Sequence, residues 1–297
     1  MFTDILGKKR YKINLHTHTT RSDGRKTPPE SAAIYRAAGY DAIAITDHWK
    51  PHGEGEIDGL KIFWGCEYDF GLDTTEERVY HIVALFCDRD PMVEKTDTPQ
   101  ECIDKINAAN GLAVLAHPAW SLNQPDEVAS LCGVEITEIY NTVSGIEHSF
   151  RPYSGAFVDL LACRGRPMGL FATDDTHYYT GDSAVASIMV ACDSLDRESV
   201  MEAIKRGDYY ATTGPEAHIS VEDGEAIVKC SPAVKVEICT NAAFFKGRRL
   251  LGEGIVEHRY SLSPVDKYVR AEVTDGNGKV AYTNFVVVSR EKDKKNG

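Results

Sequence analysis

From residue 11 to about residue 213, short apolar runs alternate with helical patterns, and most of the apolar runs end at a histidine or a carboxylate. Strands are expected over residues 11–15, 42–46, 60–65, 79–86, 113–116, 134–140, 168–173 and 187–191. Helices are expected between several of them. One covers 28–38, opened by Pro28 and Pro29 and stopped by Gly39; others cover 100–109, 157–163 and 197–205, ending near Gly111, Gly165 and Gly207. Proline just inside a helix start and glycine just past its end are the chemistry such boundaries need. Repeated strand-helix units imply a parallel sheet or a barrel. In a (β/α) barrel the C-terminal strand ends converge on one face, where active sites are built.

The residues at those ends carry the chemistry. His16 and His18 follow the first strand two positions apart, so in extended chain they share a face. Asp23 sits in a Ser22-Asp23-Gly24 turn, His48 follows the second strand, and Glu67 follows the third. His81 lies within the next strand, His117 follows in Ala116-His117-Pro118, and Asp175 and His177 follow the strand at 168–173. Taken singly, each reads as a buried or surface residue. Together they take six of the chain's ten histidines to strand ends, which is a metal cluster. Nine donors exceed the roughly three or four protein ligands of one zinc, so two or three divalent ions are expected. Nitrogen and oxygen donors without thiolate suit zinc, manganese or iron. The eight cysteines form no CxxC pair and read as reduced, mostly buried thiols.

After Gly214-Pro215 the pattern becomes strand-turn: 218–221, 226–230, 235–240, 259–262, 269–274 and 282–288. The expected domains are therefore a catalytic α/β domain over 1–215, a small antiparallel β domain over 216–290 and a charged tail over 291–297. A formal net charge of -12 weighs against extended nucleic acid as partner, though not against a small anionic substrate held by metal ions. No apolar run approaches the roughly 20 residues of a membrane span, so a cytoplasmic location without membrane contact is expected. Nothing in the pattern specifies an oligomeric state.

The order HxH, SDG, TDH, GxE, His, AHP, DDxH resembles the PHP family, named for its polymerase and histidinol-phosphatase members. The resemblance covers roughly residues 12–213. It implies a distorted (β/α)7 barrel with up to three divalent metals. One metal would use His16, His18, Glu67 and Asp175. A second would use Glu67, His81 and His117, with Glu67 bridging, and a third Asp23, His48 and His177. In the Asp174-Asp175 pair the motif Asp-x-His assigns the ligand position to Asp175. Three further stretches, 134–141 (VEITEIYN), 160–169 and 207–215 (GDYYATTGP), resemble a narrower branch, the CehA/McbA-type metallohydrolases.

The expected function is a metal-dependent phosphoesterase. It would cleave a small phosphorylated metabolite or nucleotide with a metal-bridging hydroxide as nucleophile. Glu67, Asp175 and His177 carry the catalytic weight in this reading. Arg21, Arg151 and His148 are the candidate substrate contacts, because their loops could bring them to a phosphate. Two readings compete with it. The same cluster could hydrolyse an ester, carbamate or amide, or the metals could stabilise a binding module without catalysis.

Overall fold

The computed structural model describes residues 1–71, 79–146 and 150–288. Contacts divide the chain into two compact units, Met1–Ala211 and Thr212–Gly297. Among the described residues no helix is long and apolar enough to cross a membrane. The candidate substrate residue His148 and the charged tail at 291–297 lie outside the described residues.

The first unit runs β1 (Phe2–Thr3), β2 (Lys9–Asn14), α1 (Pro28–Ala37), β3 (Ala42–Ala44), β4 (Gly55–Ile57), β5 (Leu60–Phe63), β6 (Gly65–Phe70) and β7 (Tyr80–Leu85). It continues with α2 (Pro99–Ala108), β8 (Leu112–Leu115), α3 (Pro125–Ser130), β9 (Ile136–Asn141), α4 (Gly155–Cys163), β10 (Gly169–Thr173), β11 (Ser187–Val190), α5 (Arg197–Arg206) and β12 (Tyr209–Thr212). Three helices start where the sequence chemistry places them. Thr27 with Glu30 and Thr98 with Glu101 form complete capping boxes ahead of prolines, and Asp196 caps α5 through the Ser199 N–H. Each such cap contributes about 1 kcal/mol. Gly207 ends α5 at φ 75°, a left-handed conformation in which a side chain is strained.

The strands form two sheets. In one, β2, β3 and β5 pair in parallel, with β11 antiparallel on β2 and β4 antiparallel on β5. The other runs β10-β9-β8-β7-β6. Its β10/β9 and β9/β8 pairs are parallel, but β8/β7 and β7/β6 are antiparallel. The unit is therefore α/β, but its ladders are mixed and do not close into one barrel sheet. Isolated parallel bridges, Thr17 to Thr176 and His48 to Glu67, join the edges of the two sheets. The core of the first sheet's outer face is an apolar cluster of Ala32 and Tyr35 from α1 with Tyr40, Ile43, Ile45, Leu60 and Ile62.

One strand boundary differs from the expectation in a way that matters for the site. Residues 60–65 were expected to be one strand with Glu67 beyond its end. The chain instead breaks at Trp64 and starts β6, all six of whose residues are buried, and Glu67 sits in its middle.

The second unit contains β13 (Ala217–Glu222), β14 (Glu225–Thr240), β15 (Arg249–Ser261), β16 (Tyr268–Thr274), β17 (Val280–Thr283) and β18 (Val286–Val287). Among the described residues their pairings with one another are antiparallel. The two strands expected at 226–230 and 235–240 are one, β14. Its register to β15 shifts between Lys229 and Ala233, a bulge that accommodates Pro232.

Candidate metal centre

The site is assembled by strand register. Thr17 bridges Thr176, with the His18 N–H donating to the Thr176 carbonyl at 3.0 Å and the Asp175 N–H to the His16 carbonyl at 2.9 Å. The flanking residues then face the same way in pairs, His16 beside Asp175 and His18 beside His177. The His18 and His177 rings stack at 4.1 Å. The second bridge sets His48 beside Glu67 in the same manner. Two short parallel contacts thus bring five of the nine expected residues together with His16.

Glu67 is the hub. His16 Nε2 and His18 Nε2 lie 3.2 and 2.9 Å from its Oε2, while His81 Nδ1 lies 2.8 Å and His117 Nε2 3.5 Å from its Oε1. Asp175 Oδ1 completes a tetrad, 3.2 Å from His16 Nε2 and 3.1 Å from His18 Nε2. Asp23 forms a second focus, its Oδ2 3.3 Å from His177 Nε2 and 3.8 Å from His48 Nε2, its Oδ1 3.4 Å from His18 Nδ1. Three groups of ligand-type atoms, each within 4.8 Å of one another, result: His16/His18/Glu67/Asp175, His18/Asp23/His48/His177 and His48/Glu67/His81. The first coincides with the set the resemblance implies. The other two differ from it in detail, His18 joining Asp23, and His48 standing with Glu67 and His81 where His117 was expected.

Electrostatics fit a cation. Glu67 and Asp175 are buried, and burial alone would raise both carboxyls; His16 and neighbouring imidazoles outweigh it and hold both far below the carboxylate range. Conversely, burial disfavours charged His16 and His18, yet the surrounding carboxylates keep both imidazoles protonated well above their ordinary value. His81 is the exception: burial lowers it despite Glu67. Protons here do the work a metal ion would do, because two buried carboxylates need positive charge beside them. Asp175 Oδ1 and His81 Nε2 are buried and make no hydrogen bond of proper geometry, as expected of atoms shaped for a ligand.

The surrounding residues fix ligand orientation. The sequence reading did not single out Glu138, which is fully buried in β9. Its Oε1 lies 2.7 Å from His16 Nδ1 and accepts from the Thr173 hydroxyl at 2.7 Å; its Oε2 accepts from the His117 N–H at 2.9 Å and Asn141 Nδ2 at 2.8 Å. His117 Nδ1 lies 3.0 Å from Ser121 Oγ, and His177 Nδ1 2.7 Å from the Asp175 carbonyl. With Nδ1 engaged in this way, all three rings turn Nε2 toward the cluster. Asp47, buried between β3 and His48, accepts from the Thr19 N–H and hydroxyl, each at 2.7 Å, and from Ser22 Oγ at 2.8 Å, shaping the turn that carries Asp23. A Cβ on Gly24 would come within 2.4 Å of the His18 carbonyl, so that turn requires glycine. Asp174 points away from the cluster, accepting from Tyr35, Thr142 and Ala186, and burial pushes its carboxyl up to about 6. His117 and Asp175 hold positive φ, 26° and 51°, a strain of about 1–3 kcal/mol each that clusters at working sites.

A cavity of about 360 Å³ opens over the cluster, lined by seven of the nine residues together with Trp120, Val143, Ser144, Ile146 and Tyr178. The candidate phosphate contacts are placed elsewhere. The Arg21 guanidinium donates to the Pro51 carbonyl at 3.0 Å, and Arg151 is exposed; neither lines the cavity.

No family model matches the sequence. A two-domain protein from Bacteroides vulgatus, described as containing a predicted PHP-like metal-dependent phosphoesterase, superposes with a TM-score of 0.53 at 14% identity, covering 96% of this chain and 98% of that one. A lesion-specific endonuclease of Pyrococcus furiosus, EndoQ, is similar at a TM-score of 0.44 and 14% identity, over 66% of this chain and 56% of that one. The fold is that of the Bacteroides vulgatus protein, which agrees with the motif order. In sequence, the uncharacterized protein MJ1587 of Methanocaldococcus jannaschii is 32% identical over 120 residues, 36% of this chain and 67% of that protein. The chain belongs to one family with MJ1587.

Proposed function

We propose that this chain is a metal-dependent hydrolase acting on a small phosphate ester. The observation that carries the reading is the shared use of Glu67. Its two oxygens face different histidines, and its neighbours form three overlapping donor groups at the floor of a cavity. Divalent ions held by His16, His18, Glu67 and Asp175, by Glu67, His81 and His117, and by Asp23, His48 and His177 would activate water and neutralise the charge on ester oxygens. Zinc, manganese or iron suits this donor set. A distorted (β/α)7 arrangement of β2, β3 and β6 to β10 is part of this reading, supported by the two isolated bridges between the sheets.

The protein's own part is orientation and charge. Glu138 engages His16 Nδ1 by a hydrogen bond and so presents Nε2; Ser121 and the Asp175 carbonyl do the same for His117 and His177. Because no Lys or Arg lines the cavity among the described residues, the grip on a phosphate falls to the cluster itself. Metal-loaded protein assayed against p-nitrophenyl phosphate, bis-p-nitrophenyl phosphate and a p-nitrophenyl ester tests the reading. Turnover of a phosphate ester that chelation abolishes is expected. Hydrolysis of the carboxylic ester alone would transfer the cluster to acyl chemistry, and failure on all three would make it a binding module.

A further inference from the structure

The cavity has a second character beside its donor floor. Trp120, Val143, Ile146 and Tyr178 line it, all half-buried, so each keeps apolar surface open to the cavity. Trp120 is fixed in place, standing edge-on to His81 (5.5 Å, 71°) and His117 (4.9 Å, 79°). The Tyr178 ring is held by the Arg25 guanidinium 4.6 Å from its centroid. The charged groups lining the cavity are the ligand-type residues; no Lys or Arg side chain lines it among the described residues. A substrate whose remaining part carried a second phosphate or a carboxylate would therefore place that anion against Trp120, Val143 and Ile146, with no Lys or Arg among the described lining residues to meet it. Burying an unpaired charge is costly, whereas a flat ring against an indole gains both apolar burial and ring contact.

We infer that the part of the substrate remote from the scissile ester is an uncharged aromatic ring, seated on Trp120 and Ile146 beside the cluster. This rests on the hydrolase reading for the identity of the reacting end, but not for the preference itself, which is a binding property. An indole wall and two aliphatic side chains discriminate a ring from a short alkyl chain by about ten- to a hundred-fold, the range one or two apolar groups achieve in a pocket.

The test uses non-hydrolysable ligands so that binding and catalysis are read separately. Calorimetric titration of the metal-loaded full chain with benzylphosphonate, propylphosphonate and 4-carboxybenzylphosphonate gives three affinities. Benzylphosphonate is expected to bind about tenfold or more tightly than either of the others. The Trp120→Ala and Ile146→Ala chains should each lose most of that advantage, with metal content measured on the same samples. Because Trp120 touches two imidazoles, Ile146→Ala is the variant that separates loss of the platform from damage to the cluster. Equal affinities for the benzyl and propyl compounds, equal or tighter binding of the carboxylated ring, or no binding at all would each overturn the inference. If benzylphosphonate binds preferentially while no phosphate ester is turned over, the aromatic platform stands and the phosphoesterase reading falls.

Discussion

His16 Nδ1 and Glu138 Oε1 lie 2.7 Å apart at the bottom of the cluster, both side chains fully buried. The same carboxylate holds the backbone of His117 and the side chain of Asn141, which in turn reaches Asp175 Oδ2 at 3.1 Å. Glu138 therefore positions three ligand-type residues without being one. Glu138→Gln keeps the shape but loses the anion, so the chain should fold while metal affinity falls about 10- to 100-fold. Competition with a chromophoric chelator measures this, and an unchanged affinity would show that Glu138 merely fills space.

Glu67→Ala should be among the most damaging single changes in the site. One carboxylate faces His16, His18, His81 and His117, so its loss opens two donor groups at once. Metal content per chain should fall by more than one equivalent and turnover by several orders of magnitude, in elemental analysis and assay of the same preparation.

The Asp23 focus differs in exposure. Asp23 is exposed and His48 and His177 half-buried, whereas all four members of the Glu67 tetrad are buried. This group should hold its ion most weakly. His177→Ala should remove about one equivalent and lower phosphoester turnover by orders of magnitude while the melting transition persists. Unchanged content together with unchanged turnover would show that His177 holds no metal.

Metal-free protein should lose stability as pH rises. His16 and His18 have folded pKa values raised well above 6.5, so their contribution is complete below about 6.5 and is lost as pH climbs through the raised values. Glu67 and Asp175 are depressed, so their contribution is present above their unfolded values of about 4 and is lost only on acidification through the folded ones. Thermal melts of chelator-treated protein from about pH 6 to pH 9 should show a falling midpoint. Metal-loaded protein should not show this fall, since the ion replaces the protons. A metal-free midpoint that rises over that range would contradict the electrostatic description.

Much of the site was legible because its residues follow strand ends, where a period-two pattern stops and a polar residue appears. Glu67 and Glu138 mark where that legibility ends. Both lie inside strands, β6 and β9, and a strand whose residues are nearly all buried shows no alternation to read. The available signal for Glu138 was a carboxylate inside the apolar stretch VEITEIYN, where a carboxylate needs a partner. The antiparallel pairing of β6 with β7 was not legible either: only 60–65 and 79–86 were expected as strands, within a strand-helix series, and the stretch that forms β6 was not among them. Arg21 shows a different limit. A basic residue in a loop of the site pattern suggests a phosphate contact, yet its guanidinium has a backbone carbonyl as partner, which sequence spacing cannot reveal.

The central claim is that these side chains hold more than one divalent ion and that the ions are required for hydrolysis. Elemental analysis of protein loaded with manganese, zinc or iron, paired with phosphate-ester turnover before and after chelation, tests it most directly. At least two equivalents per chain and turnover that vanishes on chelation and returns on reloading are predicted. Less than one equivalent after loading, or turnover indifferent to chelation, would contradict it.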